Sequence, residues 1–513
     1  MPCFASAISA EDRGGETAVL TGQYGNGRTA ANLNERLLNT SNVNVASFGK
    51  IGSYELDGQV FAQPLYVPGV RIGRKTVNVL YVATLHNSVY ALDADDVTQP
   101  PLWRVNLGPS VPAGWAGACP SAPYIGSELG ILGTPVIHSE TNTIYVVSAT
   151  PNSTGATYVH KLFALDIRTG AAKFGDSVVI SASVPGTGTE SQNGIVQMNE
   201  TKMIQRPALL LSQGVVYAGF GGCGPDPSPY HGWLLGYSAD NVQKQVAVFN
   251  VTANADMGAI WQSGRGPVAD SNGHVYFMTG NSPQWDDTDF GESFVKLSHH
   301  GELLDWFTPG DKPELDAYDL DLGSSGPILT PDSNLLVGGG KEGVVYVLNP
   351  DALGKSGSPV QSFQATELCG TFTFSGCQQI HYPAYWAKSG GSLLYVWGNN
   401  DYLRAYRSVG DRFDTLPDSQ GSMLAPGANL TISAHDSRAA SGILWARVSS
   451  ALYAYEATNV ANELWDSNEN VLRDGLGSTY ALALFTVANG RVYVPNKSNA
   501  VVVYGLLRRT APE

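Results

Sequence analysis

The chain is poor in charge. Asp, Glu, Lys and Arg make up 15% of its 513 residues, and 30 basic residues against 45 acidic ones leave a formal net charge of -15. A surface of that sign excludes nucleic acid and anionic membrane as natural partners, since both call for a basic face. No apolar run approaches the ~18 residues needed to span a bilayer as a helix. Met1 to Arg13 has neither a basic start nor a long apolar stretch, so as written it is no signal peptide. Helical periodicity is almost absent. The five cysteines fit no zinc spacing. No Gly-X-Ser-X-Gly, P-loop or His-Glu-X-X-His pattern occurs, which leaves serine hydrolase, nucleotide and zincin readings without a motif.

What the chain has is glycine, 58 residues of it, with 10% aromatics and 43% hydrophobic residues. That mixture suits many short strands joined by tight turns around a large core. Cys369 and Cys377 bracket a Gly/Thr/Ser-rich loop and read as a disulfide clamp, while Cys119 and Cys223 could pair or stay free. Six Asn-X-Ser/Thr sites occur, weak evidence for secretion in a chain so rich in these residues.

One pattern recurs. A short apolar strand follows Gly or Pro; a turn leads to a strand with Tyr or Trp; a third strand ends in a tag; a fourth often carries an aromatic. The tags are Ala91-Leu92-Asp93, Ala164-Leu165-Asp166, Gly236-Tyr237, Lys296-Leu297, Val347-Leu348-Asn349, Ala405-Tyr406, Ala454-Tyr455 and Val503-Tyr504, spaced 49 to 73 residues apart. Four strands at this period read as a propeller blade. Eight such units without linkers predict an all-β fold, a single eight-bladed β-propeller of four-stranded blades, rather than an array of sandwiches. The last tag lacks a following fourth strand, and Phe48 to Asp57 looks like an orphan fourth strand. Pairing the two closes the ring and removes its open edges. The expected organisation is a tail over residues 1–44 packed outside, the propeller over 45–508 and a short C-terminal tail over 509–513.

The tag followed by Gly and an aromatic, as in Ala164-Leu165-Asp166-Ile167-Arg168-Thr169-Gly170 and Phe174, with Trp103 and Trp465 elsewhere, resembles the blade motif of the quinoprotein alcohol dehydrogenase superfamily. The chain is similar from about residue 20 to 507 to pyrroloquinoline-quinone-like propellers, through segments such as Gln205-Arg206-Pro207, Pro229-Tyr230-His231-Gly232-Trp233, Ile260-Trp261-Gln262-Ser263-Gly264 and Gly340-Lys341-Glu342-Gly343. The resemblance implies a quinone on the propeller axis, Ca²⁺ as Lewis acid and an Asp as general base. Carried over residue by residue, it implies Asn281, Asp226 and Asp319 as metal ligands and Asp319 or Asp321 as the base. Lys341 would hydrogen-bond the quinone, Trp261 would stack on it, and Arg206 and Arg265 would grip its carboxylates. His231, between Tyr230 and Trp233, is a further acid/base or ligand candidate. Two departures stand out: the family's adjacent cysteine pair is missing, and its Glu ligand is matched only by Asp226, one residue out of register.

Each of these residues also has an ordinary structural role open to it: blade packing for Trp261, a turn for Asn281, a solvated or capping role for the Asp residues, a bonded core imidazole for His231. Three functions therefore stand side by side. The first is an oxidoreductase acting on alcohols or sugars with pyrroloquinoline quinone and Ca²⁺. The second is a cofactor-free lyase, isomerase or cyclase using an axial pocket with His231, Asp319 and Lys341 among aromatics. The third is a non-catalytic binding propeller. The first two expect a small-molecule substrate. By analogy of fold, the expected compartment is secreted or periplasmic.

Overall fold

The computed structural model describes residues 18–113, 126–155, 157–223, 229–284, 288–371, 373 and 376–507. Eight antiparallel sheets follow one another along the chain. Blade 1 is Leu65–Ile72, Lys75–Ala83, Ser88–Asp93 and Trp103–Asn106, paired in that order from the innermost strand outward. Blades 2 to 7 begin on the inner strands Val136–His138, Leu210–Ser212, Val268–Ala269, Ile328–Leu329, Ala384–Trp386 and Asn429–Ser433. Blade 8 takes Thr486–Ala488, Arg491–Pro495 and Ala500–Leu506, and its outer strand is Phe48–Glu55 from the other end of the chain. The expected closure is therefore found, with Phe48 opposite Leu506 and Glu55 opposite Ala500. Phe48 carries its ring to 5.0 Å from Trp465 and 5.3 Å from Trp445, so the closing strand is anchored by aromatic packing as well as by its ladder.

All eight tags lie in or at the end of third strands, with only Asn349 one residue beyond its strand. Their use becomes clear at the blade junctions. A second-strand Tyr donates its hydroxyl to the carbonyl just beyond the next blade's tag: Tyr81 to Ile167, Tyr145 to Ala239, Tyr217 to His299, Tyr276 to Pro350, Tyr395 to Ala457 and, across the closure, Tyr493 to Ala94. Trp103 adds a bond of 2.9 Å to Ile167 O, lying against Gly170, where a Cβ would sit 2.8 Å from the indole. The Gly of the tag motif is thus the seat of the neighbouring blade's Trp, at a φ of +72° that also favours Gly.

The N-terminal segment corrects the expectation of a tail packed outside. From Val19 onward it runs inside the ring and meets the inner strand of every blade in order. Val19 pairs with Tyr66 of blade 1, and Leu20 O accepts from Ile137 N of blade 2. Thr21 Oγ1 donates to Leu209 O beside blade 3, and Asn26 O and Gly27 O accept from Ala269 N and Leu329 N of blades 4 and 5. Thr29 O and Ala30 O accept from Tyr385 N and Ile432 N of blades 6 and 7, and Asn32 Nδ2 donates to Val487 O of blade 8. Gln23, Tyr24, Arg28 and Ala30 hold positive φ to make this tight circuit. Such backbone is costly for non-Gly residues and persists where surrounding bonds over-determine it. An open channel through the axis is excluded at this level. Arg28, fully buried, donates to Pro267 O, Thr21 Oγ1, Gly22 O and Leu209 O.

Replacing Arg28 by Met should leave several buried carbonyls without a donor and lower stability by at least ~3 kcal/mol. A calorimetric melting comparison tests this; an unchanged melting temperature would mean that the ring does not depend on its internal segment.

Candidate functional site

In an up-and-down blade, the loop entering the inner strand and the turn between the second and third strands lie at the same end. The loops that enter blades 3 to 6 and the second-to-third-strand turns of blades 4 and 5 therefore converge on one mouth of the ring. They carry most of the candidates from the sequence: Arg206, Trp261, Arg265, Asn281, Asp319, Asp321 and Lys341.

At the junction of blades 4 and 5 a charged cluster forms. Lys341 Nζ lies 2.8 Å from Asp319 Oδ1 and also contacts Asp321 Oδ2. Asn281 Nδ2 donates to Asp319 Oδ1 at 3.2 Å, and Asn281 N donates to Asp321 Oδ1 at 3.0 Å. Burial disfavours the ammonium of Lys341, yet the Asp321 and Asp319 carboxylates outweigh it and hold its pKa above the ordinary lysine value. Burial likewise opposes ionisation of Asp321, but Lys341 keeps its pKa below the usual carboxylate range. The Asp319 side chain is 49% exposed. It ends the short helix Lys312–Tyr318 in the left-handed region, at a φ of 55°. Such a conformation in a non-Gly residue points to a site where geometry is imposed. Close approach requires glycine here too: a Cβ on Gly280 would sit 2.4 Å from Asp321 Oδ1.

Glu292, which sequence reasoning missed, is fully buried behind this cluster. Its Oε2 accepts from Leu322 N at 2.5 Å, while Oε1 has no hydrogen-bond partner. Burial, with Asp321 and Asp316 nearby, raises its pKa well above the usual value.

The two candidate arginines behave differently. Arg265 turns both terminal nitrogens to the internal segment and its surroundings, donating to Gln23 Oε1, Pro383 O and Arg28 O, and only its buried Nε lacks a partner. Arg206 donates through Nη2 to Ser263 O and Leu482 O, but its Nε and Nη1 are buried without a partner, as is Gln262 Nε2. Trp261, just before Gln262, is partly buried against a cluster that includes Phe61, Leu132 and Ile204, with Tyr480 and Leu482 at its margin. His231 joins none of this. Its Nδ1 faces Thr252 O at 3.0 Å and its Nε2 faces Thr189 O at 2.8 Å, so both nitrogens are spent on tying loops together. Asp226 lies outside the described residues. Among the described residues no group of three or more His, Cys, Asp or Glu is arranged to hold a metal ion.

Next to the cluster opens a cleft of about 550 Å³, lined by His381, Tyr382, Trp397, Arg447 and Lys497 among others. His381 Nδ1 is 3.3 Å from Ser263 Oγ. Burial, with a further push from Lys341, lowers its pKa to about 4. None of His381, Tyr382, Arg447 or Glu292 carried a motif. They are gathered from loops more than 60 residues apart in the chain, which only the ring brings together.

Cys369 and Cys377 form the expected disulfide, and Cys223 is disulfide-bonded as well. Cys119, the partner considered for it, lies outside the described residues. No helix among the described residues is long and apolar enough to cross a membrane.

Because His381 resists protonation in the fold, the unfolded chain binds that proton first as pH falls. His381 should therefore contribute stability above its ordinary pKa of 6.5 that is lost progressively down to about pH 4. Denaturation midpoints measured between pH 7 and 4 should fall more steeply for the parent than for His381→Gln. Equal slopes would contradict a depressed His381.

No protein-family model matches the chain, and no curated protein matches it. Solved structures do. A quinohemoprotein alcohol dehydrogenase from Comamonas testosteroni superposes with a TM-score of 0.63 at 14% identity, covering 97% of this chain and 82% of that one. A quinohemoprotein alcohol dehydrogenase from Pseudomonas putida HK5 gives 0.58 at 15% identity, with the same coverages of 97% and 82%. A europium-containing methanol dehydrogenase gives 0.56 at 14% identity over 90% of this chain and 86% of that one. At these identities the likeness speaks for fold alone. The chain has the eight-bladed β-propeller fold of the quinoprotein alcohol dehydrogenases.

Proposed function

We propose that the mouth of the ring is an oxidoreductase site of the quinoprotein kind, acting on alcohols or sugars. The observation that carries this reading is the convergence of Asn281, Asp319, Asp321 and Lys341. The resemblance singled them out from separate segments, and they lie within hydrogen-bonding distance of one another. A buried polar cluster of this kind also argues against a purely non-catalytic propeller. The filled axis argues against a cofactor-free reaction in a through-going pocket.

Pyrroloquinoline quinone would supply the two-electron acceptor. The donors left without partners, Arg206 Nε and Nη1 and Gln262 Nε2, suit an acidic, acceptor-rich group of that type, and Trp261 precedes Gln262 in the same loop. Ca²⁺ fits less well. The ammonium of Lys341 already engages the Asp319 and Asp321 oxygens that the metal would need, so no step is assigned to it.

The work of the residues follows from their exposure and charge. Asp319 is the base: it is half exposed, it is reachable by a substrate hydroxyl, and it can return its proton to solvent. Lys341 holds the pKa of Asp321 below the usual range and fixes the orientation of both carboxylates. Asp321, held by Lys341 and by Asn281 N, positions that lysine. The disulfide clamp Cys369–Cys377 supports a compartment outside the reducing cytoplasm.

Titration of the purified protein with pyrroloquinoline quinone, followed by Trp fluorescence, should show saturable quenching in the micromolar range. Lys341→Met should weaken it at least tenfold. Asp319→Asn should retain binding and lose at least 100-fold in turnover of an alcohol and sugar panel with an artificial electron acceptor. No quenching at micromolar quinone would remove this reading.

A further inference from the structure

The cleft beside His381 is built from loops of blades 6, 7 and 8, and Asp319, Asp321 and Lys341 are not among its lining residues. Its composition is unusual for this protein. The chain carries 45 acidic residues, yet no Asp or Glu is among the residues lining the cleft. Two cationic side chains do line it, Arg447 and Lys497, with two further guanidinium groups close behind.

These charges converge on one wall. Tyr382 is raised in pKa by burial, and the guanidinium groups of Arg206, Arg447 and Arg265 all act on it in the opposite sense. Arg206 reaches the same wall by donating to Leu482 O, and Leu482 lines the cleft. The bonded acceptors of these three arginines are carbonyls, a hydroxyl and one amide, never a carboxylate. Each keeps a buried Nε without a partner. Among the described residues no carboxylate pairs with them, and Arg447 brings this positive charge into the lining of the cleft. An ion inside a low-dielectric wall attracts an opposite charge far more strongly than the same ion in water.

The remaining lining describes what carries that anion. Ser449, Ser450, Ser478, Thr479 and Asn399 offer hydroxyl and amide groups, and Trp397 and Tyr382 offer ring surface. Hydroxyl and amide donors beside an aromatic ring suit a polyhydroxylated ring or chain, whose C–H face packs on the aromatic while its hydroxyls exchange hydrogen bonds. A volume of about 550 Å³ suits one or two sugar units. Lys497 stands at the exposed edge, its Nζ 4.9 Å from the Tyr480 ring centroid, with no carboxylate partner among the described residues and so available to an incoming acid.

We infer that this cleft is a binding site for a sugar acid, an aldonate or uronate of one or two units, with its carboxylate toward Arg447 and Lys497 and its hydroxyls toward the serine, threonine and asparagine side chains. The inference needs no cofactor, and the two cationic side chains that line the cleft, Arg447 and Lys497, play no part in the quinone reading.

Isothermal titration calorimetry of the full chain at low salt tests it, with galacturonate and gluconate as acids and methyl galactoside and inorganic phosphate as controls. At least one acid should bind ten or more times tighter than methyl galactoside and than phosphate, and Lys497→Glu should weaken that acid at least fivefold. Because Lys497 is exposed, the variant should keep the parent's melting temperature. Equal binding of the neutral sugar, equal binding of phosphate, or an acid affinity unchanged in Lys497→Glu would each overturn the proposal. So would loss of acid binding on addition of pyrroloquinoline quinone, since that would make the cleft the quinone's own seat.

Discussion

A ring of sheets is stable only if it closes, and here one stretch of chain provides the closure twice over. Phe48–Glu55 completes blade 8 and so removes the two open edges that an unfinished ring would present. Immediately before it, residues 19–32 circle inside the ring and bond to every inner strand. Neither task can be done by the blades alone, because the inner edges of eight sheets leave backbone groups facing the axis that need partners. Around the outside of that core, tyrosine hydroxyls latch each blade to its neighbour's carbonyl just beyond the third strand.

The loops at the mouth are where the fold departs from a purely apolar solution. Arg28 and Arg265 are fully buried, and burial pulls each pKa down to about 9. Arg447 falls to about 10 for the same reason. They remain charged at neutral pH because carbonyl oxygens surround their guanidinium groups. Lys341 meets the opposite situation, gaining two carboxylates that secure its charge. One mouth therefore has two electrostatic characters: a paired and nearly neutral region at blades 4 and 5, suited to moving a proton, and an unpaired positive region toward blades 6 to 8, suited to holding an anion. Ser263 and His381 connect them, and the depressed pKa of His381 keeps that link uncharged.

The fold was largely legible from the chain because a propeller writes its period into local patterns. The tags, the tyrosine strands and the orphan segment at Phe48 are all short-range signals, and each fell where the repeat required. The internal segment was not legible. Gln23-Tyr24-Gly25-Asn26-Gly27-Arg28 has no periodicity and the look of a loop, and its burial arises from the hole that eight inner strands leave between them. Among the site residues, Asn281, Asp319, Asp321 and Lys341 could be named from a resemblance to a family. His231 could be named too, but its two nitrogens proved to hold loops together. Glu292, His381 and Arg447 could not be named at all.

The sequence by itself determined the architecture, the number of blades and the strand that closes them, because strand periodicity and turn residues act over distances of a few residues. Which polar side chains face one another was decided only by the tertiary structure. Lys341 meets Asp319 because a turn of one blade lies against the loop that enters the same blade, and Arg206, Tyr382 and Arg447 approach one another because the ring folds segments 65 to 241 residues apart onto one mouth. Such pairings depend on closure of the whole circle, and no local pattern encodes them.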